Sequence, residues 1–265
     1  MLQEAKAFLT HNFQTFAPIQ DVLNARANKN DGVDWRENHN NWSRAIFQEA
    51  AEMQNHVGWT WWRNNEAFIN RAFMELVDIQ HFWLSAILQT GKKGWEDGAS
   101  ATEVTGHSIQ RLKKNSSGKD LINNMIDLLI EIAAKNSVEM ACRSTGDYRV
   151  EQNLLDMGVV IQELAVLCGK TNADLYAWYA GKSSLNLFRY DNGYKVKDGG
   201  YIKEWAPGEE DNDFLEKLIL GAGCEHTTEG FYNALAEKYS EIKGGAGVSK
   251  WRDSQSKVLI DTRKA

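Results

Sequence analysis

Apolar residues recur at three- and four-residue spacing along most of this 265-residue chain, which is the period of a helix face. Residues 2–29 read as helix, with Phe13, Phe16, Ile19, Val22 and Leu23 on a buried side and an interruption expected near Pro18. Two further helical segments lie between Trp42 and Ser85, joined by a Trp-rich stretch around Gly58, and the second is expected to end near Gly91. Asp120–Met140 carries Leu121, Met125, Leu128, Leu129 and Ile132, and Tyr148–Cys168 carries Leu154, Leu155, Val159, Ile161 and Leu164. Gly169 suits the helix stop that follows. Thr171–Asp174 opens another helix, a further one follows Asp213, and Thr228–Ile242 is the last.

Polar stretches separate these elements. Asn28–Asn40 reads as a linker with a turn at Asp31-Gly32 and an anchor at Trp35. Lys92–Lys119, rich in Gly, Ser, Thr and Lys, reads as a long surface loop holding at most a short helix around Ser108–Lys114. Gly244–Ala265 reads as a peripheral tail. The pattern predicts a helical bundle in a single domain, without a repeat of solenoid length.

Within Trp42–Ser85, each helix carries an acidic pair three residues apart: Glu49 with Glu52, and Glu75 with Asp78. Residues at that spacing share one helix face. Ala45, Ile46, Ala50 and Met53 surround the first pair; Leu76, Val77, Ile79 and Phe82 surround the second. If the chain turns at Gly58, the helices pack antiparallel and the four carboxylates converge. Carboxylates on a core-facing stripe are costly unless paired or bound to metal, while solvated helix acids give the same spacing at no cost. Periodicity alone leaves both readings open. Hard oxygen donors without nearby Cys or His at ligand spacing suit Mg²⁺ or Mn²⁺, not zinc, and Mg²⁺ commonly takes its remaining ligands from substrate phosphates. His56 and His81 flank the acids as supporting or packing residues.

A second cluster lies between Tyr176 and Asn212. Lys182, Asn186 and Arg189 recur at helical spacing, followed by Tyr194, Lys195, Tyr201 and Lys203. An arginine fork with lysines on one face suits an anionic phosphate tail; a solvated basic face is the alternative. Gln20 and Asn24 share a face of the first helix.

Composition narrows the classes. Apolar residues make up 43% and charged residues 25%, ordinary values for a globular protein. The net charge of −6 argues against nucleic acid as the main partner. Three widely spaced cysteines read as reduced thiols. No secretory signal is evident, and no apolar run approaches the roughly 20 residues of a membrane span. These features give the expectation of a cytoplasmic protein.

Three blocks together carry a resemblance: Gln20-Asp21-Val22-Leu23-Asn24; E-x-x-E followed by G-W-T-W-W-R and E-L-V-D-I-Q-H-F-W-L-S; and K-S-S-L-N-L-F-R-Y-D-N-G-Y-K with G-Y-I-K-E-W and E-D-N. The sequence resembles the dimeric all-α dUTPases of the all-α nucleoside triphosphate pyrophosphatase superfamily. The resemblance implies an all-α fold, a homodimer, and Mg²⁺-dependent hydrolysis of dUTP, and of dUDP, to dUMP. It implies that Glu49, Glu52, Glu75 and Asp78 bind the metal and form the catalytic set. It further implies that Gln20, Asn24, Trp62, Arg63, His81, Phe82, Lys182, Asn186, Arg189, Tyr194 and Lys203 bind substrate. A rigid core of about residues 1–91 and 120–170 would carry a mobile cap of about 171–220. Thr60 stands where the family has Lys, so a phosphate contact there falls to Arg63, and the Asp198–Gly200 turn leaves Tyr201 without a transferred role. The competing readings are a dCTPase or broader dNTP pyrophosphatase and a catalytically idle helical dimer that binds a partner.

Overall fold

A computed structural model of the chain describes residues 2–28, 33–62, 66–91, 102–142, 148–194, 200–245 and 247–251. Among these it is all-α apart from one short hairpin. The helices are α1 (Leu2–Ala27), α2 (Trp42–Val57), α3 (Ile69–Gln89), α4 (Glu103–Asn115), α5 (Gly118–Cys142), α6 (Tyr148–Leu167), α7 (Asn172–Asp191), α8 (Asp211–Leu220) and α9 (Thr228–Ile242). A 3-10 turn spans Trp35–Asn38, and strands β1 (Glu204–Ala206) and β2 (Glu209–Glu210) pair antiparallel. The chain divides into two compact units, Met1–Ala17 with Arg36–Thr171 and Pro18–Trp35 with Asn172–Ala265. No described helix is long and apolar enough to cross a membrane.

In the first unit, α2 and α3 form a hairpin. Asn41 caps α2 by accepting the Arg44 N–H, and Gly58 ends it at φ 77°, a left-handed conformation that glycine adopts without a Cβ clash. The Phe68 N–H then donates to the His56 carbonyl at 2.8 Å. At the other end Trp42 stacks on Phe82 and donates from Nε1 to Gln89 Oε1 at 2.8 Å, so the helices run antiparallel as expected. Ser43, Ile46, Ala50, Met53 and Val57 form the buried stripe of α2. α3 is buried nearly all round. Each large apolar side chain withdrawn from water there contributes about 1.5–3 kcal/mol. The α5 and α6 helices pack against this pair. Asn136 donates to Ser43 Oγ, and Trp83 Nε1 donates to the Leu154 carbonyl.

The second unit is built from the end of α1, α7, the hairpin, α8 and α9. Trp35 is buried and donates to Asp21 Oδ1 at 2.7 Å, the anchor expected of it. Asp191 accepts from both Arg26 and Tyr232.

Four features depart from the sequence reading. α1 runs through Pro18 without a break; proline removes one N–H donor, and the flanking helical bonds bridge the gap. Within the expected loop, residues 103–115 form a full helix. Thr102 caps it through the Thr105 N–H, and Asp156 of α6 accepts both the N–H and the hydroxyl of Thr102. The Trp205–Glu210 stretch turns through Pro207-Gly208 into the small hairpin, which no alternating pattern announced. In the stretch read as a tail, Trp251 is buried and packs edge-on against Tyr232 at 5.3 Å.

Candidate active site

The acidic pairs do what their spacing suggested, with one exception. Glu49 and Glu52 on α2 and Glu75 on α3 each offer an oxygen, and these oxygens all lie within 4.8 Å of one another. Glu49 and Glu75 are half-buried at the rim of the α2–α3 core, whereas Glu52 is exposed and accepts from Gln48 Nε2. Asp78, one turn further along α3 and half-buried, stands outside that set. His56 Nε2 lies 3.3 Å from Glu75 Oε1, which places this histidine beside an acid in a supporting position. Three carboxylates this close are mutually repulsive unless a cation intervenes. The donor set is all hard oxygen, which fits a divalent ion of the Mg²⁺ or Ca²⁺ kind better than a soft metal.

Around the acids, His81 is buried and its carbonyl accepts from Ser85 Oγ, while Phe82 is held by its stack on Trp42, centroids 6.0 Å apart. Trp62 is exposed and meets both Trp59 and Trp61 edge-on. Thr60 is buried at 4% exposure, so the position where the resembled motif has Lys points into the fold. Arg63 lies outside the described residues.

The second unit gathers the other predicted residues in two polar groups. In one, Gln20 and Asn24 are buried; Gln20 Nε2 donates to Asn24 Oδ1 at 2.9 Å, and Tyr179 donates its phenolic proton to Gln20 Oε1 at 2.7 Å. In the other, Arg189 is only 8% exposed and grips the fully buried Asp211 through Nε and an Nη at 2.8 and 2.7 Å. The same guanidinium reaches Asn186 Oδ1 and Asn212 Oδ1, both at 3.4 Å. Lys182, buried, donates to Asn212 Oδ1 at 3.0 Å. Tyr194 lies under Arg189, 5.3 Å from ring centroid to guanidinium carbon, a cation–π distance. Tyr201 donates to Asp211 Oδ2 at 2.7 Å. Burial pulls the Arg189 pKa down, but the hydrogen bonds and charge of Asp211 outweigh it and leave the group more firmly protonated than usual. Burial, then the neighbouring Asp211 charge, pushes the Tyr201 phenol well up.

Lys203 stands apart. Its ammonium pairs with Glu210 at 2.6 Å, with both side chains near half exposed, an arrangement worth little in water. Sequence reasoning assigned no role to Asp211, Asn212 or Tyr179, although these are the groups that orient the predicted ones. The signal for the first two was present: the acidic Glu210-Asp211-Asn212 stretch follows a helix that carries Lys182 and Arg189.

A helical protein with clustered carboxylates on a helix hairpin, and with buried Lys182 and Arg189 flanking a half-buried Asn186 on another helix, has the parts of a metal-assisted hydrolase acting on a phosphorylated substrate. The model of the dUTPase family matches residues 12–194, a span that takes in Gln20 and Asn24, both acidic pairs and α7. The chain belongs to the dUTPase family, of the all-α type, and is a dUTP diphosphatase acting on a deoxyuridine nucleotide. No curated protein matches it.

Proposed function

We propose that the protein cleaves dUTP to dUMP and pyrophosphate in an Mg²⁺-dependent reaction, with Mn²⁺ as a substitute ion, and that it also hydrolyses dUDP. The observation that carries this is the convergence of Glu49, Glu52 and Glu75 in a chain of this family. Asp78 stands outside the three converging oxygens but lies half-buried one turn beyond Glu75, and it is the fourth acid of the proposed metal site. When bound, the ion would neutralise phosphate oxygens and lower the pKa of a water. Glu49 orients the attacking water and takes its proton. Lys182 and Arg189 offset charge on the phosphates, with Asp211 fixing the guanidinium plane and Tyr194 its face. Gln20, Asn24 and Asn186 hold base and deoxyribose, Phe82 and Trp62 supply aromatic surface, and Arg63, His81 and Lys203 complete the substrate contacts.

The homodimer and the cytoplasmic location belong to the same proposal. The first is supported by the motif resemblance, the second by cysteines that are free thiols, as in a reducing compartment. Light scattering of the purified protein reads the first directly.

The deciding assay is pyrophosphate release from dUTP, dCTP, dTTP and UTP, with Mg²⁺ and with EDTA. Release from dUTP that EDTA abolishes is expected. Glu49→Gln and Asp78→Asn should lose turnover by at least about a hundredfold with helical circular dichroism intact. Glu49→Gln should also melt higher without metal, because it removes one of three crowded like charges. Full activity in both variants would refute the acid assignment.

A further inference from the structure

We propose that Tyr201 is a positioning residue for Arg189, acting through both of the groups that hold the guanidinium: its hydroxyl fixes Asp211 and its ring braces Tyr194. This rests on the reading that Arg189 offsets charge on the phosphates of dUTP.

Arg189 has two supports. Asp211 accepts from its Nε and one Nη in a fork, which sets the guanidinium plane. The Tyr194 ring, 5.3 Å from the guanidinium carbon, sets its face. Tyr201 touches both supports. Its hydroxyl donates to Asp211 Oδ2 at 2.7 Å, the same oxygen that accepts from Arg189 Nε at 2.8 Å. Its ring meets Tyr194 edge-on, with centroids 5.6 Å apart. The terminal torsion of a carboxylate has a broad energy profile, so a third donor, coming from a different chain segment than the arginine, narrows the orientations Asp211 can take. Asp211 is fully buried, and water does not replace a donor withdrawn from it.

Tyr201 is itself fixed. Its ring stacks on Tyr239 of α9, centroids 5.1 Å apart and planes 23° from parallel. The N–H of the next residue, Ile202, donates to the Tyr239 hydroxyl at 2.8 Å. On the α7 side the ring meets Phe188, the neighbour of Arg189, edge-on at 6.3 Å. The phenol therefore leaves Asp211 only if a ring stack is broken. Burial first, then the Asp211 charge, push its pKa well up, so it keeps its proton and remains a donor throughout the working range of an enzyme. A loose guanidinium would have to be brought into line as charge develops on the phosphates, whereas a held one is aligned beforehand. The contribution of Tyr201 is accordingly to turnover.

The experiment measures kcat and KM for dUTP, and the inhibition constant of deoxyuridine, which lacks the phosphates, in the parent and two variants. Tyr201→Phe keeps the ring and removes only the hydroxyl; kcat should fall about tenfold, while deoxyuridine inhibition stays within about twofold of the parent's. A merely structural loosening would weaken deoxyuridine along with turnover. Tyr201→Leu removes the ring as well and should be slower than Tyr201→Phe, because Tyr194 loses its brace. A Tyr201→Phe enzyme with kcat within about twofold of the parent's, or one that loses turnover and deoxyuridine binding in parallel, overturns the inference while leaving the dUTP reading standing. A Tyr201→Leu enzyme no slower than Tyr201→Phe overturns the part given to the ring. A parent protein that leaves dUTP intact overturns that reading and this inference with it.

Discussion

Replacing Asp211 with Ala tests whether the Arg189 pair is truly sealed from water. The carboxylate is fully buried and the arginine 8% exposed, and two bonds of 2.7–2.8 Å join them in a fork. Deleting the acid leaves a guanidinium that cannot lose its proton in a site that cannot solvate it. Breaking a buried pair on one side costs about 3–5 kcal/mol, far more than the pair's net worth when both partners are present. Tyr201 loses its acceptor in the same step, though coupled contacts of this kind do not add simply. Since a whole domain has only about 5–15 kcal/mol to spare, the loss is visible. At about 2–4 °C per kcal/mol for a chain of this size class, the melting temperature should drop about 6–20 °C.

Thermal melts and urea titrations followed by circular dichroism measure this, with the denaturant slope checked for constancy. The double variant Arg189→Met/Asp211→Leu removes both charges. It should recover most of the lost stability yet lack dUTPase activity, because the cation is gone. An Asp211→Ala protein within about 1 kcal/mol of the parent would mean that Arg189 finds water, and the sealed-pair argument would fail.

Two other expectations follow from burial. Cys168 is 7% exposed, and burial pushes its thiol up to about 12 against a smaller pull from Lys170; at pH 8 about one in ten thousand copies is thiolate. A maleimide should therefore modify the exposed Cys142 first and reach Cys168 only on unfolding, and equal labelling of the two in the native protein would contradict this. Gly230 sits in the first turn of α9, where an added Cβ would come 2.2 Å from the Glu225 carbonyl oxygen. Gly230→Ala must displace backbone and should cost about 1–3 kcal/mol by urea titration; a parent-like midpoint would show that this turn yields freely.

What the sequence disclosed and what it hid divide along the range of the interactions. The bounds expected for α9, Thr228–Ile242, are those observed, because its cap and its apolar stripe are local. The α2 stop at Gly58 and the reversal into α3 were equally legible. α4 was not, since its start is secured by Asp156, 54 positions away, which no window of sequence connects to Thr102. The acids followed the same rule: i,i+3 spacing placed Glu49 beside Glu52 correctly, but which of Glu75 and Asp78 comes nearest to them depends on how α3 is rotated in the hairpin. Arg189 was read as a fork open to phosphate. Two of its nitrogens are instead engaged by Asp211, 22 positions on, so the protein itself holds the guanidinium in place.

Holding a charge in place has a chemical use that explains the contrast between the two polar groups. Around Arg189, Lys182 and Gln20, nearly every buried polar side chain is oriented by another: Asp211 and Tyr201, Asn212, Asn24 and Tyr179. In the proposed site such groups would meet a substrate already aligned, with no reorganisation needed when charge develops on it. The Glu49–Glu52–Glu75 cluster is the opposite case, with acidic oxygens within 4.8 Å of one another, an arrangement whose mutual repulsion a divalent cation would relieve. In the proposed site, metal affinity would draw on that repulsion. Neutralising an acid should therefore weaken metal binding and strengthen the metal-free fold together, whereas neutralising Asp211 should only weaken.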